Sequence, residues 1–307
     1  MTAAADPVSV PGEDRRGLLK GIGLLLLAMI VLPAQDAVAK YISVSVSPGQ
    51  ITWARFLLQT VFMLPLLVFF QGWGGLVPNR LWPNLLRGAL IAGSSTLFFI
   101  AIKFMPIADA LAIFFVEPFI LTVLSAVFDK EHVGWRRRIA VAAGFLGVLM
   151  VVRPSYAVFG AISLVPAAAG CLFAVYALLN RRLSSYDTPL TMQFTAGLSA
   201  FVILTFCLLF GWLGEWPEFR PSSLDGRELS FLLLMGVFGT SGHLFFVQAA
   251  RRVPSSVVAP IQYVEIVFAA LFGLMIFGDF PDAWKWVGIA VIVASGAYVF
   301  WRESRRG

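Results

Sequence analysis

Pro106–Phe128 reads PIADALAIFFVEPFILTVLSAVF, an apolar run with a carboxylate at its centre. About 20 apolar residues suffice to cross a bilayer, so the run is long enough to span as one helix. Glu117 stands eleven positions from either end. At about 1.5 Å per residue its carboxylate lies roughly 16 Å deep, near the membrane midplane. A second run, from Pro254 to Phe277, repeats the plan. A shift of 148 residues carries Lys103 onto Arg251, Pro106 onto Pro254 and Glu117 onto Glu265. A shift of 149 carries Trp135, Gly147 and Arg153 onto Trp284, Gly296 and Arg302. Two carboxylates at matching depth in two matching halves predict a solute pathway where the halves meet.

The remaining composition agrees with a membrane location. Of 307 residues, 59% are hydrophobic and 13% charged, with a mean hydropathy of +0.85. A soluble domain carries about 25% charge. The formal net charge of +6 would suit nucleic acid. The basic residues, however, stand at the ends of apolar runs, so the expected partners are membrane lipid and a small-molecule solute, and no nucleic acid. The first apolar run reads as a retained span, not a cleaved leader. Cys171 and Cys207 fall within apolar runs and read as inert core thiols. His243 has no second His or Cys at ligand spacing, so no metal is expected, and no cofactor.

Ten hydrophobic spans are predicted, over roughly 18–39, 48–70, 83–104, 106–128, 135–152, 157–180, 188–213, 228–250, 254–277 and 282–301. The connections are short. The longest, 214–227, is rich in Pro, Ser and charge and reads as an exposed loop. With a cytoplasmic N-terminus, 16 Lys and Arg fall on inside segments and 6 on outside ones, with Arg55 inside a span. That bias predicts both termini in the cytoplasm. Five spans per half is an odd number, so the halves insert with opposite topology, a plan typical of secondary transporters. The expected organisation is a cytoplasmic tail over 1–17, a first repeat over 18–152, a second over 153–301 and a cytoplasmic tail over 302–307.

On these residues the chain resembles the drug/metabolite transporter superfamily, in its ten-span group with two EamA-type repeats. The first repeat carries the pattern in Ala101-Ile102-Lys103-Phe104, Ala108, Ala112, Pro118, Glu131, Gly144 and Gly147. Arg55, in Ala54-Arg55-Phe56, resembles the Arg often found in that family's second span. The second repeat departs more: Asp279 stands at the expected acidic helix end, and Glu265 occupies a region where proline is common. The resemblance implies an all-α integral membrane protein of two inverted five-helix repeats, in a bacterial-type inner membrane. It implies transport of a small metabolite and leaves the solute open. Glu117 and Glu265 are not part of the general pattern.

The candidate site is therefore argued from the residues. Ionisable groups at span centres are costly, face the bundle interior, and mark proton relays or substrate paths. Glu117 and Glu265 fit that role, with Gln262 one turn before Glu265. Pro118 removes the bond to the Phe114 carbonyl and Pro260 the bond to that of Ser256. Together with Pro33 they are expected to open their helices. Asp36 and Arg55 both lie in the outer half and can pair, although Lys40 is an alternative partner for Asp36. Arg55 can instead grip an anionic group of a solute. His243 and Gln248 in span 8 can hydrogen-bond a polar solute or a neighbouring helix. Trp53, Phe98, Tyr176 and Tyr263 can line a pocket for a ring-bearing solute, or simply pack.

Three classes compete. A secondary transporter of an amino-acid-like, vitamin or nucleoside-type solute accounts for the mid-span carboxylates; it would work by alternating access, with proton coupling or else as an exchanger or facilitator. A membrane-embedded lipid enzyme would need clustered catalytic groups, and the chain holds two histidines, His132 and His243. A non-transporting assembly protein would not need mid-span charge. Small faces at Ala140, Gly144 and Gly147, with Ala290 and Ala294, suit close helix packing within a monomer or at a weak homodimer contact.

Overall fold

The computed structural model describes residues 12–128, 135–250, 252–253 and 261–304. The described residues form helices and no strands. In lipid an unpaired backbone amide has no water to bond, so the chain satisfies its peptide groups within helices. In order these are α1 (Gly12–Ile42), α2 (Pro48–Gln71), α3 (Leu81–Phe104), α4 (Ile107–Phe114), α5 (Glu117–Phe128), α6 (Trp135–Phe159), α7 (Val165–Leu183), α8 (Pro189–Leu213), α9 (Gly226–Ala250), α10 (Val264–Phe272) and α11 (Ala283–Ser304).

Seven stretches are long and apolar enough to cross a membrane. One of them, Ile139–Leu183, has 45 residues and holds both α6 and α7, joined through a short 3₁₀ turn at Gly160–Leu164. Shorter apolar helices at Val264–Phe277 and Ala283–Tyr298 account for the remaining two of the ten predicted spans. Trp73, Trp82, Trp135 and Trp212 stand exposed near helix ends, where indoles suit the membrane–water interface.

The single helix expected over 106–128 is two helices. α4 ends at Phe114, the chain turns at Phe115–Val116, and α5 begins at Glu117. Pro118 explains the break, because it has no N–H to continue the ladder. The freed Phe114 carbonyl lies against Gly170 of α7, so close that a Cβ there would sit 2.5 Å away. The corresponding span of the second half is also interrupted, with a turn at Tyr263 before α10. Pro260 lies outside the described residues. Each break delivers its carboxylate, Glu117 or Glu265, to the first turn of the following helix, where the helix dipole favours negative charge.

The two halves interlock instead of forming separate bodies. The most extensive packing crosses between them: α1 along α9, α2 along α8, α3 along α7 and α6 along α11. At the last of these, Gly147 has no room for a side chain, since a Cβ would lie 3.0 Å from the Gly288 carbonyl. Gly144 is filled in the same way by Phe119. Of the small faces predicted there, Gly144 and Gly147 serve contacts within one chain, whereas Ala290 and Ala294 are exposed.

The side on which α1 begins is called the N-side. Here Asn79 and Asn84 donate to Asp187, tying the α2–α3 and α7–α8 connections together. Arg87, one of the basic residues counted on the inside segments, is 1% exposed. It donates to Asn84 and the Met192 carbonyl and lies over Tyr176. On the far side, the 214–227 connection is mostly exposed, as expected, but Phe219 tucks against Gly49 and Gly211. The cysteines differ from expectation: Cys171 is exposed on the bundle's perimeter and Cys207 is half-buried.

Candidate functional site

Helices α1, α2, α3 and α9 meet around Arg55. On α1, Pro33 removes the amide that would bond the Met29 carbonyl, but the helix runs unbroken from Gly12 to Ile42 and is not opened as expected; Gln35 and Asp36, two and three residues on, are buried. On α2, Arg55 is buried; its Nη1 donates to Ser95 Oγ of α3 at 2.6 Å, and its plane lies over Phe56 and Phe99. On α9, Gly239 lets the backbone approach both, since a Cβ would overlap Gln35 Oε1 and lie 3.8 Å from Arg55 Nε. The charges of Asp36 and Arg55 are near enough to influence one another, as are those of Asp36 and Glu265 of α10, without an ion pair or hydrogen bond between them. Tyr176 of α7 and His243 of α9 also lie in the field of Arg55.

The sequence-chosen residues fall into two groups, and neither Glu117 nor Glu265 lines the cavity between α1, α2, α8 and α9, which His243 and Gln248 do. Asp36, Arg55, Tyr176, His243 and Glu265 form one electrostatic group. Glu117 and Tyr263 interact as a second, with Tyr263 two residues from Glu265. Glu117, Gln262 and Glu265 are half-buried, and Tyr263 packs its ring on Phe115 at 5.1 Å. Two aromatics serve elsewhere. Trp53 donates to Thr205 Oγ1 at 2.9 Å and packs on Phe201 at the α2–α8 contact. Phe98 packs edge-on against Phe114 in the main core. The alternative pairing of Asp36 with Lys40 is not formed, because Lys40 bonds Asp279 at 2.6 Å and the Met105 carbonyl at 3.1 Å.

A cavity of about 650 Å³ opens between α1, α2, α8 and α9. Gln71, Thr188 and Gln248 lie toward its N-side mouth, and Gln59, Thr240 and His243 lie deepest. Twelve residues of α2 separate Gln71 from Gln59, a depth of roughly 18 Å. Arg55 stands one further turn along α2. His243 Nδ1 is engaged with the Gly239 carbonyl at 2.8 Å, and Gln248 accepts from Arg252 at the rim.

The far side is drawn together by ion pairs that each join the two halves. Lys40 pairs with Asp279, Lys285 with Asp109 at 2.6 Å, and Lys103 with Glu218 at 4.0 Å. Gln50 adds bonds to both backbone groups of Ser222. Asp279 is presented by a π-turn, Gly273–Phe277, that ends in left-handed Gly278 at φ 73°, a conformation that favours glycine. Asp109 and Lys285 were not singled out in the sequence. Asp109 sits four residues into an apolar run, and that intramembrane position was itself the available signal. The roles of Gln35, Gln59 and Gly239 depend on long-range packing and had no local signal.

Broken helices bearing carboxylates, inverted halves and a mostly apolar cavity with a few glutamine, threonine and histidine side chains define a multi-pass membrane transporter for small metabolites. The chain belongs to the EamA-like transporter family, whose profile matches twice, over residues 19–153 and 159–301. It is 25% identical over 287 residues to an S-adenosylmethionine uptake transporter of Rickettsia felis, covering 94% of each chain. It is 27% identical over 292 residues to a riboflavin transporter of Vibrio cholerae, covering 94% of this chain and 95% of that one. It is 28% identical over 285 residues to a pseudopaline exporter of Pseudomonas aeruginosa, covering 91% and 95%. A crystal structure with 21% sequence identity superposes with a TM-score of 0.64 over 95% of this chain and 99% of that one, a likeness of fold.

Proposed function

We propose that the protein is a secondary carrier that moves a small polar or amphipathic metabolite across a bacterial inner membrane by alternating access, coupled to protons through Glu117 and Glu265. The observation that carries this reading is an asymmetry. The N-side opens into a cavity about 650 Å³ in volume, while ion pairs between the halves tie the far side shut. With both termini cytoplasmic, as the Lys and Arg bias favours, this is an inward-open state. The converse state requires the far-side ion pairs to part and the α1–α9 and α2–α8 contacts to close on the N-side.

Proton coupling is supported by the placement of the carboxylates. Both stand half-buried at helix breaks, and each is felt electrostatically by a group of another span, Tyr263 or Asp36. Membrane carboxylates in such positions recur in proton relays. The relatives support solutes such as S-adenosylmethionine, riboflavin or an opine-like metallophore as the class to screen.

The test is flux into proteoliposomes holding the purified protein, with and without a pH gradient. A transported metabolite should respond to the gradient in the wild type. Glu117→Gln and Glu265→Gln should still fold and should lose that response. Gradient-independent flux that both variants retain would leave a facilitator or exchanger and remove proton coupling.

A further inference from the structure

The N-side cavity has a far-side counterpart, and a side chain fills it. A shift of 141 residues carries Ser47-Pro48 onto Thr188-Pro189 and runs on without a gap through both helices. It matches Leu57, Val61, Leu67 and Phe69 of α2 with Leu198, Val202, Leu208 and Phe210 of α8. Packing obeys the same register. Gly236 of α9 presses on Leu58, with a would-be Cβ 2.6 Å from the Leu58 Cβ. Its match at the 148-residue shift, Gly88 of α3, presses on Ser199, which is the match of Leu58. In inverted halves, matched surfaces lie toward opposite sides of the membrane.

The walls of the N-side cavity can therefore be traced to the far side. Gln59, Met63 and Phe70 of α2 and Leu190 of α8 line that cavity. Their matches are Ala200, Leu204 and Gly211 of α8 and Gly49 of α2. Phe219 sits among these matches: it shares an apolar cluster with Ala200 and Leu204, and a Cβ on Gly49 or Gly211 would collide with it. The N-side has bulky Phe70 and Leu190 around an opening; the far side has two glycines around a phenyl ring. Phe219 arrives on the mostly exposed 214–225 connection. Gln50 holds that connection at both backbone groups of Ser222, at 3.0 and 2.8 Å, and Lys103 holds it at Glu218, at 4.0 Å. The matching N-side connection, residues 72–80, contributes nothing to the cavity lining.

We propose that Phe219 is a plug. It fills the far-side half of the solute path between α2 and α8, and its withdrawal with the 214–222 connection opens a second site there for the same solute. The walls left behind are apolar and glycine-lined, so the part of the solute that replaces the phenyl is an apolar, ring-sized group, held by burial. Until then the ring keeps water out of the closed half while the N-side stands open. This assignment rests on the carrier reading above.

The test is cysteine labelling of the full-length protein in right-side-out membrane vesicles, with Cys171 and Cys207 replaced by serine. The probe is a membrane-impermeant maleimide added on the far side. Leu204→Cys, at a position 2% exposed, is the reporter, and Ala200→Cys, at one 0% exposed, is a second should the first fail to fold. Ile289→Cys on α11, at a position 4% exposed, is the control for general loosening. Phe219→Ala should accelerate labelling of the reporter at least 10-fold and of the control less than 3-fold, whereas Phe219→Trp should leave both slow. No acceleration at either reporter, or equal acceleration of the control, overturns the plug. The carrier reading is judged separately, by flux of a broad metabolite library into proteoliposomes. Flux without the labelling change strikes the plug alone; no flux of any member removes the carrier and the solute site with it, whatever the labelling.

Discussion

Lys285 Nζ lies 2.6 Å from Asp109 Oδ2, joining the last span to the first turn of α4 through a carboxylate with no exposed surface. Ser155 of α6 reaches the same oxygen at 3.5 Å. Removing one partner of a buried pair leaves an uncompensated charge and costs about 3–5 kcal/mol. Lys285→Met should therefore lower the unfolding temperature of the detergent-solubilised protein by several degrees. Asp109→Asn with Lys285→Met, which removes both charges, should recover most of the loss. A double variant as unstable as Lys285→Met alone would show that the pair does not act as a unit.

Lys40 and Asp279 offer a gentler way to disturb the same side, because both retain some exposure, 13% and 32% for the side chains. Asp279→Lys replaces attraction with repulsion without emptying a dry site. If this pair helps to hold the far side shut, the substitution should favour the converse, outward-open state. Met105, whose carbonyl bonds Lys40, is 1% exposed. A cysteine placed at Met105, with Cys171 and Cys207 replaced by serine, should react slowly with a membrane-impermeant maleimide. Asp279→Lys in that background should accelerate labelling about 10-fold or more.

The α6–α11 contact depends on the absence of side chains at Gly147 and Gly288, each of which lies about one atomic diameter from the other's carbonyl, 3.0 and 2.9 Å from a would-be Cβ. Overpacking a filled interface costs about 1–3 kcal/mol. Gly147→Val should destabilise the protein by that order in thermal unfolding. Gly23→Ala, where a Cβ meets nothing within 4 Å, should be neutral or slightly stabilising.

Much of this architecture is readable from local pattern. Apolar length sets the spans, basic residues mark their ends, and the recurrence of Pro106 and Glu117 at Pro254 and Glu265 exposes the duplication. Even Ser47-Pro48 and Thr188-Pro189 repeat, each capping its helix with a hydroxyl that accepts from the residue three on. Other features are non-local. Nothing near Lys285 in sequence announces Asp109, and Arg87 resembles any interfacial arginine until Asn84 and Met192 enclose it. Trp53 shares a helix with Arg55 but points toward Thr205, because residues two apart on a helix face different ways. The close approach of Gln35 and Arg55 at Gly239 arises only when α1, α2 and α9 are packed together.

The break before Glu117 admits a direct test. Pro118 has no amide to offer the Phe114 carbonyl, and that carbonyl instead lies against Gly170 of α7. Pro118→Ala restores the missing donor, allowing α4 and α5 to draw toward one continuous helix. That change removes the free helix N-terminus at Glu117 and rotates the carboxylate relative to Tyr263. Local helix propensity improves, so thermal stability should hold or rise. Transport driven by a pH gradient should nevertheless fall at least 10-fold. Gly170→Ala, which presses on the Phe114 carbonyl from the other side, should lower stability and transport together. Separating the two readouts distinguishes a break kept for function from one required for packing: full transport by Pro118→Ala would assign it to packing.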